Sequence, residues 1–149
     1  MACNSGIRAA AGAIVVLLDD DMEALPGFLA AHSHAHDGPA QRAVVGAAPI
    51  VVGPDSPPFV RYMADGFRKR LERLAQPGYQ LRFRDAYTGN FSARRDTLLA
   101  VGGFDETFRV YGHEDYELAL RLQEAGVELA YRADACAYQH YEKSFAAFA

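Results

Sequence analysis

Near the amino terminus, apolar and acidic positions are sharply separated along the chain. Six apolar residues at positions 13–18 are followed directly by Asp19, Asp20 and Asp21. A short, unbroken apolar run rich in β-branched residues is typical of a strand buried on both faces of a mostly parallel sheet. Open α/β sheets bind ligands at the carboxyl ends of such strands. Since three adjacent carboxylates repel one another, a concave site here would need a cation, and the pattern predicts a divalent-metal site.

The rest of the chain alternates between helical and strand-like patterns, which is typical of an α/β fold. Helices are expected at residues 4–11, 28–36, 56–76, 94–101 and 114–125. Strands are expected at residues 13–18, 41–52, 127–131 and 135–139, while residues 88–92 are a strand or loop and residues 79–87 an edge strand or loop. With 149 residues, half of them hydrophobic, the chain fits one domain with a sizeable core.

Charge and cysteine content exclude several functional classes. The net charge of −4 and the pI near 5.7 argue against a general binder of nucleic acid or of anionic membranes. Two cysteines are too few for a disulfide framework, which favours a reducing compartment such as the cytoplasm. The longest apolar stretches are too short to span a bilayer, and no signal peptide is recognisable. Attachment to the inner face of the membrane through a segment outside this chain stays open.

A second group of glycines and acids lies far along the chain, at residues 102–106 and 112–115. Acidic residues in the first turn of a helix are favoured by its dipole, so capping alone could explain Glu114 and Asp115. Capping does not require the paired glycines at 102 and 103 or the glycine directly before His113. Glycines at such positions indicate a tight turn or a close approach between the backbone and a ligand.

The order of these segments resembles the family 2 glycosyltransferases and their GT-A-fold relatives, including the C-terminal galactosyltransferase-like region. The resemblance is carried by residues 4–12, 18–21, 89–95, 102–106 and 112–115, and continues through residues 118–122 and Gly126 to His140. It implies a partial GT-A (nucleotide-diphospho-sugar transferase) fold, a mostly parallel sheet flanked by helices. It also implies one catalytic domain over residues 1–149, truncated at the N-terminus, because no segment matches the family's first strand and helix. We therefore expect incomplete recognition of the nucleotide base and weak or absent activity of the isolated chain.

The resemblance further implies roles for individual residues. Asp115 would be the general base that deprotonates the acceptor hydroxyl, and Glu114 would orient donor or acceptor. Asp21 would be the principal metal ligand, joined by Asp19 and by His140, although which of the three aspartates binds the metal stays open. The residues expected to bind the donor are Asn4, Asp19, Asp20, Gly89, Asn90, Gly112 and His113.

The chemistry of sugar transfer is consistent with these roles. A divalent cation, Mn²⁺ or Mg²⁺, neutralises the leaving diphosphate, and a carboxylate must lie within hydrogen-bond reach of the attacking hydroxyl. One carboxylate group near the metal and another from a distant segment supply both. A single base implies inversion at the anomeric carbon. The expected partners are a nucleotide-diphosphate sugar and a carbohydrate or lipid-linked acceptor, and the interpretation requires the two acidic groups to share one cleft.

Two other functions compete with this one. A catalytically incomplete fragment could bind a sugar or a partner protein without transfer. A phosphatase of the haloacid dehalogenase type also places Asp-x-Asp after a buried strand, but it needs a later lysine. Lys69 and Lys143 are the only lysines in the sequence, and neither has a suitable setting.

Two groups of basic residues are predicted to lie on the solvated surface of the protein and not in its functional site. His32, His34 and His36 lie on a polar helix end and are predicted to be solvated, although His32 and His36 are spaced one helical turn apart and could bind a metal. The basic run at residues 68–70, with Arg73, lies opposite the apolar stripe of its helix and is predicted to be an exposed face. Contact of that face with an acidic acceptor or a membrane is the alternative.

Overall fold

A mixed α/β arrangement is seen in the computed structural model, which describes residues 2–108 and 113–141. The helices within these ranges are α1 (Ala2–Ala9), α2 (Phe28–Ala35), α3 (Pro58–Leu74), α4 (Arg95–Ala100) and α5 (Glu114–Glu124). The strands are β1 (Ile14–Leu18), β2 (Met22–Ala24), β3 (Arg42–Ala47), β4 (Asn90–Arg94) and β5 (Glu128–Gln139), and a 3₁₀ turn covers Phe83–Asp85. The predicted α/β class is therefore confirmed.

The strands form one sheet in the order β1-β4-β3-β5-β2. β3 and β5 pair in parallel, whereas β4 runs antiparallel to both of its neighbours, β1 and β3, and β2 runs antiparallel to β5. β1, β3 and β5 thus share one direction, as a parallel sheet requires, but most of the strand pairing is antiparallel. The expectation of a mostly parallel ladder is wrong because β4 is inserted between β1 and β3.

The two faces of the central strands carry different contacts. Side chains alternate between the faces of a strand, so Phe91 and Ala93 of β4 point to one side and Asn90 and Ser92 to the other. The first side faces the main apolar core, which is built with residues of α1, α4 and α5. On the second side, residues of α2 form hydrogen bonds with Asn90 and Ser92.

β1 differs from its predicted burial. Val15 is buried, but Leu18 is 39% exposed and the rest of the strand is only partly covered. Among the described residues β1 pairs with β4 alone, so it lies at an edge of the sheet, while the interior strands β3 and β4 are buried almost throughout. An apolar run cannot by itself separate an edge position from a central one, and the expectation of burial on both faces is wrong.

β5 joins two segments that the sequence predicts as separate strands. Its parallel pairing with β3 shifts register between Gly46, which faces Arg132, and Ala47, which faces Cys136. A Cβ on Gly46 would lie 2.3 Å from the carbonyl oxygen of Ala135, so only glycine fits at this irregularity. The strand predicted over 41–52 ends at Ala47, although Ile50 still forms an isolated parallel bridge with Gln139 of β5.

Two of the three histidines at α2, His32 and His36, are not solvated as predicted. His32 is fully buried and His36 is 2% exposed, and both imidazoles form hydrogen bonds with Ser92. Their spacing of four residues places them on one helix face, and that face covers the polar side of β4. His34 is exposed. We call His32, His36, Ser92 and Asn90 the buried histidine cluster.

Candidate functional site

The first acidic group lies where β1 ends beside the start of β4. The backbone amide of Asp19 donates to the carbonyl oxygen of Gly89 at 2.9 Å. A Cβ at Gly89 would lie 2.5 Å from Oδ2 of Asp19, which is closer than real Cβ atoms approach. Glycine at this position therefore lets the Asp19 carboxylate lie directly against the backbone.

The second acidic residue, Asp115, is in the first turn of α5 and is held by Thr88. The Thr88 hydroxyl donates to Oδ1 of Asp115, and the Thr88 amide donates to Oδ2 at 3.2 Å. Burial raises the pKa of the Asp115 carboxyl above its ordinary value, the two bonds from Thr88 oppose that rise, and the charge of Glu114 adds to it. Asp115 is thus a partly buried, oriented carboxyl with an elevated pKa, which are the properties of a general base.

Thr88 and Gly89 are consecutive residues, so the anchors of the two acidic groups are adjacent along the chain. Asp19 contacts Gly89 and Asp115 is hydrogen bonded to Thr88. Residues that are far apart in the sequence are brought together at the beginning of β4. That the two carboxylates share one cleft stays a prediction.

Asp21 lies at the other side of the acidic run and contacts the end of β5. Gln139 donates to its Oδ2 at 3.1 Å, and the His140 amide donates to its backbone carbonyl oxygen at 2.8 Å. Oδ1 of Asp21 is buried and has no hydrogen-bond partner among the described residues. A buried carboxylate oxygen without a donor is costly, and a cation would satisfy it.

The side chain of His140 is directed to a different carboxylate. Its Nε2 lies 2.9 Å from Oε2 of Glu23, two residues beyond Asp21. Within residues 2–108 and 113–141, no group of three or more His, Cys, Asp or Glu side chains is arranged to hold a metal ion. Any metal at Asp19 and Asp21 would therefore take further ligands from elsewhere, as Mg²⁺ and Mn²⁺ do when substrate phosphates complete their coordination.

Two residues predicted to bind the donor have structural roles instead. Asn90 is fully buried, and its amide nitrogen donates to the carbonyl oxygens of Ala47 and Ala135 at 2.8 and 2.9 Å. Its Oδ1 lies 2.8 Å from the imidazole of His32. The expectation that Asn90 contacts the donor is wrong because every polar atom of its buried side chain is already hydrogen bonded within the protein.

Asn4 is also buried, inside α1 rather than at its N-cap. Its side chain accepts a hydrogen bond from the Phe104 amide at 2.8 Å and donates to the Phe104 carbonyl oxygen at 2.9 Å. A Cβ on Gly103, whose φ is +68°, would lie 2.4 Å from Oδ1 of Asn4. The predicted role of Asn4 in donor binding is wrong, since its buried side chain connects α1 to the glycine turn.

Replacing Asn4 with Ala is expected to lower the free energy of unfolding by about 2 kcal/mol, because the buried amide and carbonyl of Phe104 lose their partners. Urea denaturation followed by circular dichroism measures this change. Cys3→Ala, an exposed position on the same helix, is the control and should differ from the parent chain by less than about 0.5 kcal/mol. Equal stability of both variants would contradict the connecting role of Asn4.

The remaining predicted residues are exposed or undescribed. His113 is exposed, and its backbone amide donates to Oε2 of Glu114 at 2.9 Å. Asp20 is exposed beside the acidic group. Gly112 lies outside the described residues. The roles of Asp20, His113 and Glu114 stay predictions.

Sequence reasoning missed three residues that contact the site's carboxylates or the segment that leads to them. Thr88 binds Asp115, Gln139 binds Asp21, and Arg70 contacts the loop before Thr88. Thr88 and Gln139 directly flank residues that were singled out, Gly89 and His140, so adjacency was an available signal. No comparable signal distinguishes Arg70 within its basic run.

Three comparisons place the chain among known proteins. A family model described as the N-terminal domain of galactosyltransferase matches residues 68–144, just over half of the chain. The matched region includes Thr88, Gly89, Asp115 and His140. A protein of Bacillus subtilis (strain 168), named uncharacterized glycosyltransferase YfnE, is 40% identical over 57 residues, which are 38% of this chain and 14% of that protein.

The fold is also similar to a solved structure. The mannosyltransferase PcManGT from Pyrobaculum calidifontis, in complex with GDP-Man and Mn²⁺, superimposes with a TM-score of 0.60 at 21% sequence identity. The match covers 99% of this chain and 38% of that protein. The chain therefore has the α/β fold of this mannosyltransferase and spans well under half the length of either relative.

Proposed function

The chain belongs to the glycosyltransferase family described as the N-terminal domain of galactosyltransferase, and on that premise we propose that it is the catalytic part of a sugar-transferring enzyme. Its donor would be a nucleotide-diphosphate sugar and its acceptor a hydroxyl of a carbohydrate or of a lipid-linked molecule. The single observation that carries this proposal is the juxtaposition of Asp19 and Asp115 on the consecutive residues Gly89 and Thr88. One carboxylate can then serve the donor while the other serves the acceptor.

Asp21 and Asp19 would hold a divalent cation, Mn²⁺ or Mg²⁺. Two observations support this fit: Oδ1 of Asp21 is buried without a donor, and the Asp19 carboxylate is packed against Gly89. When bound, the cation would neutralise the charge of the leaving diphosphate. His140 is a proposed third ligand, and its imidazole would have to turn away from Glu23 to reach the other two.

Asp115 would act as the general base. Thr88 fixes both carboxylate oxygens through its amide and hydroxyl, and burial raises the pKa of the carboxyl, which makes the carboxylate a stronger base. The acceptor hydroxyl gives its proton to Asp115 as its oxygen bonds to the anomeric carbon and the bond to the diphosphate breaks. With one base and one displacement, the configuration at that carbon inverts. Glu114, Asp20 and His113 are proposed to contact the donor or acceptor.

In the described part of the chain, no helix combines the length and apolar character needed to cross a bilayer.

Metal-dependent donor binding tests the proposal. Isothermal titration of the 149-residue chain with GDP- and UDP-sugars is expected to give heat in the presence of Mn²⁺, with weak affinity because recognition of the base is incomplete, and no heat with EDTA. Asp21→Asn should weaken the Mn²⁺-dependent binding by about tenfold or more, because one charged ligand is lost. Asp37→Asn, an exposed aspartate after α2, is the matched control and should bind as the parent chain does.

The proposed metal site would be contradicted by binding that is as strong in EDTA as in Mn²⁺. It would equally be contradicted if Asp21→Asn and Asp37→Asn had the same affinity as the parent chain. A change of melting temperature measured on all three proteins separates loss of binding from loss of folding.

A further inference from the structure

Arg70 extends from α3 to the loop that leads into the site. One terminal nitrogen of its guanidinium donates to the carbonyl oxygens of Arg84, Asp85 and Ala86, at 3.2, 3.0 and 3.3 Å. Successive carbonyls that meet at one cation lose the freedom to rotate separately. The guanidinium therefore fixes the conformation of this loop, including the end of its 3₁₀ turn.

The next residue of the loop, Tyr87, is fixed by the same side chain. The Arg70 guanidinium lies over the Tyr87 ring, 5.2 Å from its centroid, and also 5.7 Å from the centroid of Phe67. A cation over an aromatic face is attractive, more so where solvent is excluded. The Tyr87 hydroxyl donates to the carbonyl oxygen of Gly46 in β3, so the ring is held at both of its ends.

Thr88 follows Tyr87 directly, and its backbone amide and hydroxyl are the two donors to Asp115. A rotation of the backbone at residues 84–87 would turn both donors away from the carboxylate. The positive charge of Arg70 also favours the ionised form of Asp115, in opposition to the neighbouring charge of Glu114. The Thr88 donors, which the loop holds in place, and the positive charge of Arg70 thus both favour the ionised form of Asp115.

We propose that Arg70 is a positioning residue for Asp115, which orients Thr88 through the loop and stabilises the carboxylate from a distance. Its importance for sugar transfer rests on the proposed role of Asp115 as the base. Arg70 itself contacts neither of the proposed metal ligands, Asp19 and Asp21, in any hydrogen bond or ion pair that the described residues form. The basic run predicted as one exposed face is therefore divided, since Arg68 and Lys69 pair with Asp65 on the surface while Arg70 faces the loop.

The experiment measures the Asp115 carboxyl directly, without donor or acceptor. The titration of its ¹³Cγ resonance by NMR is compared in the parent chain, Arg70→Met and Arg70→Lys. Arg70→Met should raise the titration midpoint by about half a pH unit or more, because a nearby positive charge and the aligned Thr88 donors are both lost. Arg70→Lys should raise it by less, since the charge stays while the span across three carbonyls is lost.

Arg73→Met is the matched control. Arg73 lies on the same helix, binds Oδ1 of Asp85 at 3.1 Å and lies over the ring of Tyr79. Its removal should destabilise the same loop region but leave the Asp115 midpoint within about 0.2 units of the parent value, well below the shift that a lost neighbouring charge produces.

Equal midpoint shifts in Arg70→Met and Arg73→Met would overturn the proposal and indicate a general effect of loop stability. An unchanged midpoint in Arg70→Met would overturn it as well. Because this measurement needs no transfer reaction, it gives an answer even if the chain is not a transferase. If transfer is observed, the acid limb of its pH profile should move with the NMR midpoint.

Discussion

Asp115→Asn is expected to lower the rate of sugar transfer by about 10³-fold, the size typically lost when a general base is removed. Asparagine has nearly the same shape and still offers an oxygen to Thr88, so the turn at the start of α5 should stay intact. What it lacks is the negative charge and the basicity that let a carboxylate take the proton of the acceptor hydroxyl. The measurement is the initial rate of transfer at saturating donor and Mn²⁺, with Glu124→Gln, an exposed position on the same helix, as the control.

Measuring donor binding by the Asp115→Asn variant distinguishes a transferase from a protein that only binds a sugar or a partner. If the chain is a transferase, Asp115→Asn loses transfer and keeps Mn²⁺-dependent binding of the nucleotide sugar. If the chain only binds a sugar or a partner, parent and variant behave alike in both assays. Unchanged transfer by Asp115→Asn would show that another group is the base.

The pH dependence follows from the state of the same carboxyl. Transfer requires the ionised form, so the rate should rise with pH as Asp115 loses its proton. Burial raises the pKa of this carboxyl, which moves the acid limb of the profile above the range of an ordinary aspartate. The need for the ionised carboxylate and the raised pKa of Asp115 act in the same direction, so transfer activity is lost on the acidic side of the profile.

Acidification is also expected to destabilise the fold through the buried histidine cluster, by about 3 kcal/mol between pH 7 and pH 4 for His36 alone. Burial, with the nearby charges of Arg94 and Arg42, lowers the pKa of His36 from 6.5 to about 4. Below pH 6.5 the unfolded chain binds a proton that the native chain does not, so the free energy of unfolding falls as the pH falls toward 4. Above pH 6.5 both states are neutral, and His36 adds no pH dependence.

The hydrogen bonds of the cluster explain why it stays neutral. The Asn90 amide nitrogen donates to two carbonyl oxygens, so its Oδ1 must accept from His32 Nε2. His32 Nδ1 then carries a lone pair that accepts the Ser92 hydroxyl proton, and Ser92 Oγ accepts from His36 Nε2. The one acceptor left over is His36 Nδ1, which is buried without a partner among the described residues. Every position that could take an extra proton is either already bonded or shielded from water.

Urea denaturation between pH 7.5 and pH 4.5 measures this effect. His36→Gln should lose stability at pH 7.5 but show a flatter decline toward acid than the parent chain. His34→Gln, the exposed histidine on the same helix, should run parallel to the parent at every pH. Parallel curves for His36→Gln and the parent would show that His36 does not titrate as the cluster requires.

The elements that could be predicted from the sequence are those fixed by local signals. The helices α2 to α5 begin and end within about two residues of the predicted bounds, because glycine and proline boundaries and a repeating apolar face are local properties. The direction of β4, the edge position of β1 and the continuity of β5 depend on which strands become neighbours. Pairing partners lie far apart in the sequence, and periodicity carries no information about them.

In the candidate site, too, some features follow from local sequence signals and others depend on partners far away in the sequence. The acidic run and Asp115 stand out because adjacent carboxylates and acids next to glycines are unusual locally. The burial of His32 and His36 could not be predicted, since their partner Ser92 lies on a strand that the helix reaches only after folding. Asn4 and Asn90 were misassigned for a related reason: a buried amide with satisfied hydrogen bonds has the same sequence signature as one that binds a ligand.

The attachment of Asp19 and Asp115 to consecutive residues has a further consequence for how the candidate site responds to motion of the sheet. Gly89 and Thr88 are separated by a single trans peptide unit, whose Cα atoms lie about 3.8 Å apart whatever the surrounding structure does. Both anchors continue directly into an interior strand of the sheet. If the sheet twists, the two anchor residues move as one rigid unit, so the Gly89 contact of Asp19 and the Thr88 hydrogen bonds of Asp115 are displaced together.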